Sequence, residues 1–581
     1  MARDDRTERF ATGVLVIGAG AAGLRASIEL AERGLPVLCL ARRDRSDAHT
    51  VLAAGGINAA LATTDPQDSW EQHAADTLRE GYWLNDPRAV EILATESWQA
   101  IDDLVRWGVP FARDERGELH QRFFGAHRWR RTCYAGDYTG REMQLALLRR
   151  AGELRIDLRD GIYVTRLLVS DGQVFGAYGF DIADGRRYVV YADAVVLAGG
   201  GHTRVYRRSS SRRDENTGDA MRLALEAGCR LRDMELVQFH PTGMVFPQEA
   251  AGTLVTEAVR GEGGILRNAE GERFMERYDP ARLELSSRDR VALANYTEID
   301  EGRGTEHGAV LLDVSHLPRE QIFERLPRMY RQFVDLAMVD MTRTAMEVAP
   351  TAHYTMGGVR VDAETHATDV AGLYAAGECA AGVHGANRLG GNSLSETLVF
   401  GRIAAAQAAR FADGIGAQLR SHRAVRDATD EVDELLDARG SELVRPLQRA
   451  VRDTMWEHCA VIRSDHGLRT ALSKLDEIEA RTARIEVHPD IAGFEDLARA
   501  FHLRSAIASA RATVACARER RETRGAHNRS DFPDLDPAFQ VNLTYSADGE
   551  ITHEPVGATP EAIREHAQDR PDLESAGRLL E

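Results

Sequence analysis

The patterned part of the chain opens with four apolar residues in a row, Val14-Leu15-Val16-Ile17, a run suited to a strand buried on both faces. It leads straight into Gly18-Ala19-Gly20-Ala21-Ala22-Gly23, then an alanine-rich segment ending near Gly34, then a second apolar run from Leu35 to Ala41. That order predicts strand, tight turn, helix and parallel strand within about 30 residues. Further on the pattern changes. Residues 416–540 read as helical, and Val451, Met455 and Cys459 recur every four positions, which predicts one buried face. Beyond Pro533 the chain becomes rich in Asp, Glu and Pro, then weakly helical, and is expected to wrap the rest of the chain or a partner.

The glycine spacing gives the first unit a chemistry. Gly18 permits the tight turn, Gly20 lets backbone approach a pyrophosphate, and Gly23 allows close helix–strand contact. The helix start beside them offers positive dipole to phosphates. At the end of the second strand, where an NAD site usually carries Asp or Glu, stand Ala41 and Arg42. This disfavours NAD and leaves FAD, or another more anionic ligand. The next segment, "AHTVLAAGGINAAL", carries His49 and the Gly55-Gly56 pair. With the ADP half held by the first unit, this loop is placed to follow the ribityl chain toward the flavin ring.

Composition narrows the classes. A chain of 581 residues, 43% of them hydrophobic, can bury a large core and accommodates two to four domains at about 150 residues each. Its net charge of −18 argues against a nucleic-acid partner. No uninterrupted apolar stretch of about 18 residues predicts a membrane span, and the first residues carry charges of both signs rather than a secretory signal. The six cysteines form no CxxC pair, so neither zinc nor an iron–sulfur cluster is expected within this chain.

The segment around His49 resembles the flavin-linking segment of the succinate dehydrogenase/fumarate reductase flavoprotein subunits. The resemblance runs from about residue 10 to 545. Its further blocks include "QFHPTGM" (238–244), "LVTEAVRGEGG" (254–264), "SSRDRVA" (286–292), "PTAHYTMGGV" (350–359), "HGANRLGGNSL" (384–394) and "RRETRGAHNRSDFP" (520–533). In the family a histidine placed like His49 carries a covalent bond to the flavin, and a basic residue stands where Arg42 does. Two departures stand out: Ala54 replaces the usual Gln or Glu before the glycine pair, which puts the flavin potential and preferred direction in question, and Ala41 replaces a serine.

The resemblance implies a site. Taking hydrogen from two adjacent saturated carbons requires two held carboxylates, a hydride acceptor and a proton acceptor on the opposite face. His240 and Thr256 would hold one carboxylate, and His353 and Arg388 the other. Arg288 would move the proton in a relay with Glu257 and Arg260, whose i,i+3 spacing lets them meet on a helical turn. Phe124 would pack over the substrate. FAD contacts are implied for Gly18, Gly20, Ala21, Ala22, Gly23, Ala41, Arg42, His49, Thr50, Ala54, Gly55, Gly56, Asp219, Glu378, Arg388, Ser393 and Leu394, with covalent attachment at His49. A linkage there raises the flavin potential and so favours succinate oxidation. No metal is expected. His127 and the basic run Arg128-Trp129-Arg130-Arg131 read as a solvated loop.

The expected class is α/β. A Rossmann-like FAD-binding domain (1–238 and 354–415) would hold an inserted α+β capping domain (239–353), followed by a C-terminal helical domain (416–540) and a tail (541–581). Closure of the cap would bring Arg288 to the substrate and exclude water. The implied partners are membrane anchor subunits with quinone, together with an iron–sulfur subunit. The implied location is peripheral, on the cytoplasmic face of the cell membrane. The alternatives are a fumarate reductase, a soluble L-aspartate oxidase-like enzyme, and a non-catalytic assembly flavoprotein. His49 and the "NRLGG" context disfavour the oxidase; the presence of Arg288, His240 and Arg388 disfavours the scaffold.

Overall fold

In a computed structural model, residues 7–123, 126–491 and 493–567 are described. The first apolar run lies in strand Thr7–Ile17, which pairs in parallel with Val37–Leu40 on one side and Arg187–Leu197 on the other. Asp157–Arg159 extends the sheet beyond Val37–Leu40, and Leu373–Ala375 pairs in parallel with Arg187–Leu197. An antiparallel meander, Ile162–Ser170 and Gln173–Asp181, completes seven strands. Helix Ala21–Glu32 packs against helix Asn392–Gly414, so two helices far apart in sequence cover the same sheet. Val14, Val16, Leu24, Ile28, Leu398 and Phe400 are all buried there.

The register decides where a ligand can sit. Ile17 aligns with both Leu40 and Leu197, and Leu197 aligns with Ala375. Four parallel strands therefore end at one level, with their following loops on the same side. Open parallel sheets bind ligands at that carboxyl edge.

Between these segments the chain builds a second, antiparallel sheet from Val237–Met244, Met346–Thr355, Val310–Asp313 and Ile265–Arg267. Helix Arg288–Glu298 packs across Val237–Met244, which carries the start of the helix to the rim of the first sheet. His240 and His353 lie on neighbouring paired strands of this sheet, and their rings meet at 5.4 Å, edge to face.

Helices His422–Asp437, Val444–His458, Asp465–Thr482 and Glu495–Glu519 share a core with the antiparallel meander. Val451, Met455 and Cys459 are fully buried in it. The segment after Pro533 folds back, and its Leu543 and Tyr545 join a core with Leu15 and Leu197 of the first sheet. Val541–Tyr545 pairs with Leu231–Arg232 and with Ile551–Pro555, and helix Glu561–Ala567 packs on helix Trp70–Glu80. Among the described residues no helix is long and apolar enough to cross a membrane, and no group of three His, Cys, Asp or Glu could hold a metal ion.

Candidate active site

A cavity of about 880 Å³ runs from the carboxyl edge of the parallel sheet to the second sheet. At the sheet end it meets Gly18, Gly20, Ala21, Ala22, Ala41 and Arg42. Each glycine there has a different physical reason. Gly18 holds φ +113°, and a Cβ on it would sit 2.2 Å from the Ala198 carbonyl oxygen. A Cβ on Gly23 would sit 1.8 Å from the Gly18 oxygen, so Gly23 serves helix–strand contact behind the cavity wall. Gly20 has open space, its nearest neighbour being Thr50 Oγ1 at 3.4 Å, and it faces the cavity.

Two helices begin at this cavity without a side-chain cap and without an acid in the first turn: Ala21–Glu32 and Asn392–Gly414. Such helix starts attract anionic or electron-rich groups. Thr50 ties the first one, accepting the Ala21 N–H at 3.1 Å. Ser393 and Leu394 belong to the first turn of the second and line the cavity. Arg42 donates to the Asp214 carbonyl and stacks over Tyr163. Asp219 accepts from Tyr163 Oη at 2.8 Å. Burial opposes its charge, yet His502, Ser505 and Arg42 hold its carboxyl well below the usual range. Glu378 accepts from Asn216 and from the Thr355 N–H; burial outweighs these contacts and raises its carboxyl.

His49, Ala54, Gly55 and Gly56 line the middle of the cavity. Gly56 holds φ +130°, and its missing side chain is demanded by the protein itself: a Cβ would lie 2.6 Å from both the Cys133 oxygen and Thr132 Cγ2. His49 Nδ1 lies 2.9 Å from Glu215 Oε2. Burial works against the imidazolium, but the hydrogen bond and charge of Glu215 prevail and raise the His49 pKa. Burial likewise opposes the Glu215 charge, yet His49 and Arg212 pull it down to about 2.

His240, Thr256, Glu257, Arg288, His353 and Arg388 also line the cavity. Arg388 is buried, donates Nη2 to Gln238 at 2.9 Å and Nη1 to Ser393 at 3.1 Å, and lies over the Tyr354 ring. Burial, then the nearby Arg288 charge, lowers it to about 10, which still leaves it cationic at neutral pH. His240 and His353 are pushed well below 6.5, by burial first and then by the arginines around them. They are therefore neutral hydrogen-bonding groups, and the positive charge of the site resides on its arginines. His353 Nδ1 meets Ser210 Oγ at 2.9 Å, and His240 Nδ1 accepts the Thr242 N–H at 3.2 Å. The Thr256 hydroxyl accepts from the Ala258 N–H.

Arg288 Nε donates to Glu257 Oε2 at 2.9 Å. Arg260 stands behind Glu257, 3.8 Å away, buried, and donating to the Glu284 carbonyl. Burial lowers the Arg260 pKa. Arg260 does not line the cavity; it reaches it through Glu257. Phe124 lies outside the described residues.

The structure corrects, at its two ends, the reading of 127–131 as a solvated loop, while Arg128 and Arg130 are exposed as expected. His127 is 2% exposed and meets the Gly390 carbonyl at 2.9 Å, and burial brings its pKa down to about 3. Arg131 is wholly buried between Asp68 and Asp76. Two further cavity residues escaped the sequence reading. One is Glu215, an acid within the basic stretch Arg212-Arg213-Asp214-Glu215. The other is Arg122, which donates to the carbonyls of Ala54 and Gly55 and stacks over Tyr134.

The cradle fits an extended dinucleotide. Gly20 leaves it open beside the first helix start, its two helix starts are unopposed by acids, and its arginines supply positive charge to a ligand with phosphates at one end and an electron-rich ring at the other. These features define a flavin-dependent oxidoreductase fold. The FAD binding domain model matches residues 13–394, and the fumarate reductase flavoprotein C-terminal model matches residues 448–568. The chain is 45% identical over 542 residues to a subunit of the fumarate reductase (CoM/CoB) of Methanothermobacter marburgensis, covering 92% of this chain and 97% of that one. It is 38% identical over 560 residues to the succinate dehydrogenase flavoprotein subunit of Rickettsia conorii, covering 92% of each. The solved structure of Mycobacterium smegmatis Sdh1 in complex with UQ1 superposes with a TM-score of 0.88 at 39% identity, covering 96% of both chains. A quinol-fumarate reductase with menaquinol molecules gives a TM-score of 0.89 at 33% identity, covering 95% of this chain and 99% of that one. The chain belongs to the succinate dehydrogenase/fumarate reductase flavoprotein family, a family of FAD-binding oxidoreductases.

Proposed function

We propose that this protein interconverts succinate and fumarate on an FAD bound in the cavity, and that succinate oxidation is within its capability. The observation that supports this best is that Arg388, His353, His240, Thr256 and Arg288 line the same cavity as the glycine cradle. Their donors suit the two carboxylates of a diacid. When bound, FAD supplies the two-electron redox chemistry.

The protein's own part is positioning and proton movement. Arg388 and His353 hold one carboxylate, the arginine by a charge-assisted bond and the neutral histidine as a donor. His240 and Thr256 hold the other. Arg388 is itself held by Gln238 and Ser393, so its guanidinium is fixed before substrate arrives. A free guanidinium is a poor base, and the ion pair with Glu257 addresses this. Glu257 takes a proton from the Arg288 guanidinium, and the neutral guanidine so formed takes the proton from substrate carbon and becomes a single cation again. In the reverse direction the same two transfers run backward. Arg260 keeps Glu257 in place and stabilises its negative charge before the proton arrives.

Covalent attachment of the flavin at His49 is part of this reading. With Nδ1 engaged by Glu215, Nε2 is the ring nitrogen left for the bond. Electron exchange with an iron–sulfur subunit, then with quinone through anchor subunits at the cytoplasmic face of the membrane, also belongs here. It is supported by the solved relatives in complex with UQ1 and with menaquinol molecules. Fumarate reduction as the cellular direction is a second reading, favoured by the fumarate reductase (CoM/CoB) relative and by the missing polar side chain at Ala54.

Succinate-dependent dye reduction and fumarate-dependent oxidation of a reduced dye test the activity. Arg288→Ala should lose nearly all turnover in both assays while retaining FAD; turnover surviving in that variant would remove Arg288 from the proton path. Acid precipitation tests the linkage: flavin fluorescence should stay with the polypeptide, and should leave it in His49→Ala.

A further inference from the structure

Near Arg288 a second group of carboxyls meets the capping helix. Asp289, the residue after Arg288, is 8% exposed and accepts Tyr82 Oη on Oδ2 at 2.9 Å and Asn387 Nδ2 on Oδ1 at 3.0 Å. The same Asn387 amide also donates to Glu80 Oε1, at 2.7 Å. Two carboxyl groups from different layers therefore share one NH2. Asn387 Oδ1 accepts from Gln238 Nε2, whose Oε1 accepts from Arg388. A chain of amides thus runs from the substrate-end arginine to the start of helix Arg288–Glu298. Glu80 closes helix Trp70–Glu80, and the next residues after Gly81 are strained: Tyr82 and Trp83 both hold left-handed φ, +51° and +61°.

We infer that Glu80 is a positioning residue for Arg288: Glu80 and Asp289, joined through the Asn387 amide, latch the start of the capping helix to the FAD-binding layer, and charging Glu80 beside Asp289 releases it. Two carboxylates about one amide donor repel when both are ionised. The groups facing Glu80 are Asp289 and Arg288 on the capping helix, Arg282 before it and Glu257 beside the relay. Tyr82 faces Asp289, and Arg290 faces Tyr82. Burial first, then the Asp289 charge, raises Glu80 to about 8, with Arg288 and Arg282 pulling the other way. The latch is thus closed at neutral pH and opens as pH rises through about 8.

The inference rests on Arg288 being the proton-moving residue, but its test does not. Hydrogen exchange of the 288–298 segment in FAD-loaded protein, corrected for intrinsic rates, should show protection falling about tenfold between pH 7 and pH 9. Glu80→Gln keeps a neutral hydrogen-bonding group and should abolish that fall, together with the alkaline limb of the turnover profile. Glu80→Ala should show low protection at every pH, with a raised KM for the dicarboxylate. Tyr82→Phe, which changes no charge, should lower protection at pH 7. If Glu80→Gln keeps the wild-type fall, or Tyr82→Phe leaves protection unaltered, the latch is wrong. If the wild type shows the fall but turns over neither succinate nor fumarate, the latch stands and the functional reading fails.

Discussion

Arg288 and Glu257 are joined by a 2.9 Å bond from the guanidinium Nε to a carboxylate oxygen, and both side chains line the cavity. In the proposed relay Glu257 takes the proton that Arg288 gives up before it accepts one from substrate. Glu257→Gln retains an oxygen that can accept the Nε–H but cannot take a proton. Its kcat should fall on the order of 10²–10⁴-fold, the usual worth of a positioned proton-transfer group. KM should change only a few-fold, because Glu257 is not asked to bind substrate. Steady-state assays in both directions check this; an equal loss in each direction is expected, since one relay serves both.

Arg388 is a buried cation lining the cavity, proposed to hold substrate, and its fork is already committed to Gln238 and Ser393. A lysine there would be a point charge unable to make both contacts and reach the substrate. Arg388→Lys should lower kcat/KM on the order of 10²–10³-fold, mostly through KM, as expected for losing one partner of a buried charge pair. Titrating succinate, and a competitive dicarboxylate such as malonate, separates the binding loss from any change in kcat.

Gly20 and Gly23 belong to one motif but predict opposite phenotypes. A Cβ on Gly23 meets the Gly18 oxygen at 1.8 Å, and backbone cannot yield that distance, so Gly23→Ala should destabilise the fold itself. Gly20 has φ −76° and room for a methyl group. Gly20→Ala should therefore melt like the wild type without FAD, yet bind FAD at least about tenfold more weakly because the methyl occupies the approach of the phosphates. Thermal melts of flavin-free protein and FAD titration read the two effects apart.

What the chain's pattern reveals and conceals follows from how far each interaction reaches along it. The glycine turn, the strand–helix–strand order and the Val451, Met455 and Cys459 face are local periodicities, and the structure carries all of them. The burial of Arg131 was not readable. A basic run looks solvated until Asp68 and Asp76, far earlier in the chain, close around it. The strands after residue 540 were hidden for the same reason. Their partner, Leu231–Arg232, is a short strand far away in sequence. Glu80 and Glu215 sit in ordinary polar stretches; only the fold brings them to Asp289 and His49.

The His49–Glu215 pair yields a prediction in which the pH sign can be worked out. Glu215 has its pKa depressed from 4.5 to about 2, so in the flavin-free protein its contribution to stability is present above pH 4.5 and is lost as pH falls toward 2. His49 has its pKa raised above 6.5, so its contribution is present below pH 6.5 and is lost as pH rises through the folded value. The pair is worth most between those limits. The Glu215 part is at most about 3 kcal/mol, from a shift of about 2.5 units at 1.36 kcal/mol each. Glu215→Gln should therefore unfold at lower denaturant than the wild type near pH 5.5, with the gap narrowing toward pH 2. Above pH 7 the gap should narrow only partly, because the wild-type Glu215 still pairs with Arg212 there. The same variant loses the carboxylate that holds the Nδ1 proton and aims the ring. Its covalently bound flavin should fall several-fold in acid-precipitated protein, while total FAD in the native protein remains near that of the wild type, because the glycine cradle and both helix starts are untouched. Full covalent attachment in Glu215→Gln would mean that His49 needs no partner to present Nε2, and the orienting role of Glu215 would have to be given up.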